Sequence, residues 1–210
     1  MARDSLGDRI WYKHWPPKVP KCLDYPDCTL AEFLKESATH YAERPAIFFL
    51  DAEVSYGQLW DMVRRMATAL ASLGYRRGDV MALMLPNSIQ FVVAYYACQL
   101  LGVTVTSVNP TYKPLELNHQ LSDSGATALI ILDVLYEDVR EGIEGTGVRQ
   151  IIGTNIVDLC GFSGVKVYLG KLLGKIPTGR LPADALQLLS LIHISEPTRR
   201  NQSSRMPSSA

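Results

Sequence analysis

Gly161-Phe162-Ser163-Gly164 sets a serine between glycines, as a sharp turn exposing a nucleophile would, but Val165 stands where the closing glycine of such an elbow belongs. A nucleotide enzyme needs backbone amides, and usually a lysine, gathered round phosphates. Gly174-Lys175 offers that pair, yet Leu169 occupies the place of the loop's first glycine and Ile176 that of the metal-binding hydroxyl. Gly142, Gly145 and Gly147 do not complete G-x-G-x-x-G, and they follow a helix-like stretch instead of a strand. Both sets read as loop glycines. His14, His40 and His119 are isolated, with no spacing that ties them to a nucleophile or a metal. Cys22, Cys28, Cys98 and Cys160 lack a C-x-x-C pair or a matching histidine cluster and read as reduced thiols, with a Cys22–Cys28 disulfide as the alternative. From the residues alone, no catalytic, cofactor-binding or metal-ligating residue is assigned.

The composition suits a soluble globular chain: 210 residues, 47% hydrophobic and 20% charged, enough for one sizeable core. The 21 Lys and Arg match the 21 Asp and Glu, and setting aside the residues after Leu188 leaves a slight acidic excess, so nucleic acid is not expected as a partner. No run approaches the roughly 18 apolar residues of a membrane span, and Met1 to Pro17 lacks the apolar core of a signal peptide. The expected location is cytoplasmic.

Residues 1–28 hold Trp11, Trp15 and several prolines and are expected to form an extended arm lying on the body. Membrane contact by its tryptophans is the alternative. Thr29 with Glu32, and Ser55 with Gln58, are capping boxes that open helices, with two short strands, Ala46 to Leu50 and Glu53 to Ser55, between them. Leu59, Met62, Val63, Met66, Leu70 and Leu73 recur at helical spacing, so the methionines read as core. Apolar strands follow at Val80 to Leu85, Val103 to Val108, Ala128 to Leu132 and Gln150 to Gly153. Helices lie between them, one capped by Ser88 and stopped by Gly102, one running from Pro114 to Ser124 and stopped by Gly125. The alternation predicts an α/β fold, a parallel sheet flanked by helices, with Val80 to Leu85 and Val103 to Val108 as central neighbours. Val157 to Lys175 mixes leucines with glycines and reads as a peripheral helix, or as a lysine-flanked segment that touches lipid.

From Leu189 the text changes to LSLIHISEPTRRNQSSRMPSSA. Leu189 to Arg199 resembles the in-frame translation of a transposon-library sequencing adapter, and Ser204 to Ala210 its flow-cell end, with an index between. Residues 189–210 are therefore expected to be a non-native, disordered tail, and the natural chain to continue past Leu188.

Four stretches resemble the AMP-forming, adenylate-forming synthetases. They are Val54-Ser55-Tyr56-Gly57-Gln58-Leu59; Arg77-Gly78-Asp79-Val80-Met81-Ala82 with Leu85-Pro86-Asn87-Ser88; Leu101-Gly102-Val103 through Asn109-Pro110-Thr111-Tyr112; and Leu121-Ser122-Asp123-Ser124-Gly125-Ala126. The Asn109-Pro110 pair and the tryptophan arm lean toward fatty acyl-CoA ligases, with a ligase for an aromatic acid or a non-catalytic binding module as alternatives. The resemblance makes residues 29–188 a partial synthetase domain, the first part of that family's large amino-terminal domain. It implies ATP, Mg and CoA for the intact enzyme and none for this fragment. A fatty acid is the implied substrate, with peripheral membrane contact and a homodimer as further expectations. The family's lysine-ended Ser/Thr/Gly loop, Thr-Glu motif, ribose aspartate and carboxy-terminal lysine have no counterpart in Met1 to Leu188, so no catalytic, cofactor or metal residue is carried over.

Overall fold

Along Val80–Met84 and Ala128–Leu132 alternate side chains go to opposite faces, as the two-residue period of a strand requires, and nearly all are apolar. Met81, Leu83, Ala128 and Ile130 join one core; Ala82, Met84, Leu129 and Ile131 join another. A strand buried on both faces needs helices on both, and the computed structural model, which describes residues 9–162, 167, 169–170 and 172–194, has them.

The elements are α1 (Leu30–His40), β1 (Pro45–Phe49), β2 (Ala52–Ser55), α2 (Tyr56–Ser72), β3 (Val80–Met84), α3 (Ile89–Leu101), β4 (Thr104–Ser107), α4 (Pro114–Ser124), β5 (Ala128–Leu132), α5 (Asp133–Val139), β6 (Gln150–Thr154), β7 (Leu186–Gln187) and α6 (Leu188–Ile194). β1 and β2 form an antiparallel ribbon, while the other five make a parallel sheet in the order β4-β3-β5-β6-β7. The first core unites β3, β5 and β6 with Val63, Met66 and Leu70 of α2 and Ile89, Val93 and Ala97 of α3. The second packs Leu117 and Leu121 of α4 and Val139 of α5 on the opposite face.

Local signals set the boundaries. Thr29 Oγ1 accepts from the Glu32 amide at 3.2 Å while the Glu32 carboxylate accepts from the Thr29 amide at 2.7 Å, and Ser55 with Gln58 repeats the arrangement at α2. Gly102 ends α3 at φ +72°, a left-handed conformation, and a Cβ there would also crowd Arg77.

Two expectations need correction. β3 and β4 do pair, but β4 is the edge; the inner neighbours are β3 and β5, because the chain returns past β3 to add β5 on its other side. In the arm, regular structure among the described residues is limited to one short turn, flanked by extended backbone at Arg9 and Trp15. Ile10–His14 forms a 3₁₀ turn, and none of the residues from Arg9 to Cys28 is buried. The other correction concerns the segment expected to be disordered from Leu189. Its first residues continue α6, with Ile192 only 3% exposed in the first core and the helix against α2, because Leu188, Leu191 and Ile192 recur at helical spacing. Residues 195–210 lie outside the described residues, as do Lys171 and most of 163–168.

Candidate functional site

In a parallel sheet with helices on both faces, ligands are held outside the carboxyl ends of the strands, where successive connections depart in opposite directions. Here that position lies between β3 and β5. Pro86-Asn87-Ser88 leads from β3 into α3, and Asp133 leads from β5 into α5. Ser88, nearly buried, caps α3 by accepting from the Phe91 amide at 3.3 Å.

Behind this opening the loops are tied together by buried amides. Gln90, fully buried on the first turn of α3, donates through Nε2 to the carbonyls of Asn155 (2.9 Å), Ile156 (3.3 Å) and Asp158, all beyond the end of β6. Its Oε1 is buried without a partner. Asn155 donates from Nδ2 to both Asp133 carboxylate oxygens, at 3.1 and 2.9 Å, and to the Pro177 carbonyl at 2.8 Å. The Asp158 carboxylate accepts from the Asn155 amide at 2.8 Å and from the Thr154 hydroxyl at 3.0 Å. The backbone of 177–179 closes over the same place, since a Cβ at Gly179 would collide with the Asp133 carbonyl.

This arrangement fixes the exits of β5 and β6 but presents no activated nucleophile. Burial, reinforced by the Asp158 carboxylate, pushes the Cys160 thiol up, so it stays protonated at neutral pH. Burial alone pushes Cys98, whose sulfur lies 3.6 Å from that of Met81, up to about 12. A cleft of about 490 Å³ borders the same turn, with Asp51, Glu53, Asp61 and Cys160 in its walls. Asp61 is paired with Arg65 at 2.7 Å, which leaves Asp51 and Glu53 to give the cleft a sign that repels phosphates and carboxylates.

The remaining sequence candidates are not brought together. His14, His40 and His119 are exposed, on the arm, at the end of α1 and on α4. Among the described residues no group of three His, Cys, Asp or Glu converges as a metal site would require. Gly142 packs where a Cβ would strike the Pro114 carbonyl, Gly145 turns at φ +75°, and Lys175 is exposed with its amide closing a turn on the Gly170 carbonyl at 2.9 Å. Ser163 and Gly164 lie outside the described residues. Gln90, Asp133 and Asn155 were not singled out from the sequence. The available signal was a glutamine inside the apolar run Ile89-Gln90-Phe91-Val92-Val93, which no exposed helix face explains.

A family model described as "AMP-binding enzyme" matches residues 34–162. The chain is 36% identical over 154 residues to a long-chain-fatty-acid–CoA ligase of Yersinia pestis, covering 72% of this chain and 27% of that one. To the Escherichia coli O6:H1 long-chain-fatty-acid–CoA ligase it is 32% identical over 194 residues, covering 88% and 34%. It thus spans about a quarter to a third of the length of these relatives. Among solved structures, a long-chain-fatty-acid–CoA ligase of Archaeoglobus fulgidus superposes with a TM-score of 0.58 at 29% identity, over 62% of this chain and 28% of that one. A benzoate CoA ligase of Burkholderia xenovorans, at 21% identity, shares the fold with a TM-score of 0.63 over 85% and 31%. The match over residues 34–162 covers more than half of the chain, the double-sided parallel sheet agrees with these structures, and the chain belongs to the AMP-binding enzyme family.

Proposed function

We propose that this chain is the amino-terminal part of a long-chain fatty acid–CoA ligase. The observation that carries the reading is the identity of about a third to long-chain-fatty-acid–CoA ligases, sustained over 72% to 88% of the chain. The intact enzyme would use Mg-ATP and coenzyme A. The fatty carboxylate attacks the α-phosphorus, pyrophosphate leaves, and the coenzyme A thiol then displaces AMP from the acyl-adenylate. Stabilising the charge that develops at phosphate needs positioned cations and amides. The described residues supply scaffold for such a site: the Ser88-capped α3 and the Gln90–Asn155–Asp133 ties that hold the exits of β5 and β6. The lysine-ended loop, Thr-Glu motif, ribose aspartate and carboxy-terminal lysine that the resemblance implies have no counterpart in Met1 to Leu188, and the cleft beside these ties is acidic, so this chain alone is expected to be inactive. Residues 1–28, 29–188 and 189–210 would be an arm, a partial synthetase domain and a tail of adapter origin. A cytoplasmic site of action, peripheral membrane contact and a homodimer belong to the same reading.

A second reading, a ligase for an aromatic acid, is favoured by 30% identity over 130 residues to a 4-coumarate–CoA ligase of Narcissus pseudonarcissus. Pyrophosphate release with palmitate, octanoate and 4-coumarate, measured for this chain beside a full-length counterpart, separates the readings. The full-length protein should turn over palmitate fastest and this chain nothing. Preference for 4-coumarate would select the second reading, and release by this chain alone would overturn the expectation of inactivity.

A further inference from the structure

Between Asp79 and Lys113 the sequence has no Asp, Glu, Lys, Arg or His. Burial on both faces accounts for this in β3 but not in α3, which has an outward side. Ile89, Val93, Ala94, Ala97 and Cys98 are fully buried in the first core. On the other side of the helix Phe91, Val92, Tyr95 and Tyr96 are only half-buried and Leu100 is 36% exposed. The outward sides of other helices are charged: α1 presents Glu32, Lys35 and Glu36 to solvent, and α4 presents Glu116 and Asp123. A helix that is apolar all round is one enclosed on all sides. Along the outer side of α3, Tyr95 stacks on Phe91 at 6.1 Å and meets Tyr96 edge to face at 5.6 Å, and aromatic rings of this kind are enriched where protein meets protein. The uncharged face runs on into β4, which α3 touches. β4 is a border of the sheet, paired only with β3, and from Thr104 to Ser107 it has neither the charge nor the proline that blunts an edge left open to solvent.

We infer that the outer side of α3 is a docking surface for the part of the intact ligase that follows Leu188, and that the surface it receives is uncharged. A charge set against this face would be buried without a partner. The inference rests on the proposed function, which makes the intact protein longer: the chain spans 27% to 34% of its ligase relatives. The other candidate occupant is a second copy of the chain, and size decides against it. Thirteen residues at a rise of about 1.5 Å, on a helix about 10 Å wide, offer roughly 200 Å². A stable complex between separate proteins needs roughly 800 Å² from each partner. A segment of the same polypeptide needs far less, because covalent linkage already supplies a high local concentration.

The test is thiol labelling. Val92→Cys and Tyr96→Cys are each introduced into the 210-residue chain and into its full-length counterpart, with His119→Cys on α4 as the control. Reaction with a maleimide is followed at each position by peptide mass spectrometry, so the native cysteines do not interfere. Both α3 positions should react readily in the 210-residue chain and at least roughly tenfold more slowly in the full-length protein, while position 119 reacts alike in both. Tyr96→Arg gives a readout that needs no thiol: it should leave the melting of this chain nearly unchanged and lower the midpoint of the full-length protein, where the charge would be enclosed. Equal labelling of α3 in the two proteins would overturn the inference. So would protection in the 210-residue chain that grows with its concentration, because the occupant would then be a second copy. Labelling uses neither ATP nor fatty acid, so its failure is distinct from failure of the ligase reading, which pyrophosphate release decides.

Discussion

β5 buries all five of its residues, whereas the arm, with two tryptophans and two tyrosines between Arg9 and Cys28, buries none. Both stretches would score as apolar. In β5, each side chain is enclosed by helices on one face or the other, so its type is set by the volume it must fill. In the arm, rings contact neighbouring cations and carbonyls, so side-chain type is free of any demand from the core. The lesson is that apolar content does not locate the core; periodicity with respect to a second layer does. Where that periodicity is missing, exposed aromatics need another explanation.

The largest effect that can test this contrast is Ile130→Ala. Ile130 is fully buried at the centre of the sheet, and the substitution should cost about 3 to 4 kcal/mol, a fall in the thermal midpoint of about 10 °C. Trp11→Ala, removing a larger side chain, should shift it by less than about 2 °C. Comparable losses at the two positions would mean that the arm packs on the body.

Truncation after Leu188 comes next. Ile192 belongs to the same core as Ile130, so removing the residues beyond Leu188 should destabilise the chain by about 2 to 3 kcal/mol. An unchanged melt would restore the expectation of a dispensable tail from Leu189.

A smaller effect sharpens the comparison at the junction of arm and body. Thr29→Ala removes the cap of α1 and should cost about 1 kcal/mol at neutral pH. Hydrogen bonds from the Thr29 amide and hydroxyl hold the Glu32 carboxyl below its ordinary value, with Lys35 adding to them against a small opposing effect of burial. A depressed carboxyl stabilises the fold above its unfolded value, and that contribution is lost as pH falls through the folded one. The difference between wild type and variant should therefore narrow below the usual carboxylate range. A gap that widened in acid would refute the box as the source of the shift.

What could be read from the sequence was what is local. Capping boxes at Thr29 and Ser55, the glycine stops at Gly102 and Gly125, and the β-branched or apolar runs of β3 to β6 all involve residues a few positions apart. Strand order was not legible, because it depends on which face each connecting helix chooses, and β4 was misplaced at the centre. The turn at Ile10–His14 was not legible either, because the prolines around it argued against regular structure and its hydrogen bonds involve no capping motif. Gln90 went unnoticed for a related reason: its acceptors lie 65 to 68 residues away, and only the folded chain brings them to its amide.

The strand order β4-β3-β5-β6-β7 has a consequence for biosynthesis. β3 emerges first from the ribosome and finds no parallel partner until the α3 crossover is complete. β4 then adds to one of its sides, β5 to the other, β6 to β5 and β7 to β6, so every newly made strand docks on a border that is open when it arrives. No strand has to be threaded between two that are already paired. A sheet ordered in this way can grow in step with translation, at the roughly 5 to 20 residues per second at which chains are extended, with the pairings of β4, β5 and β6 each waiting only for the helix that precedes the strand.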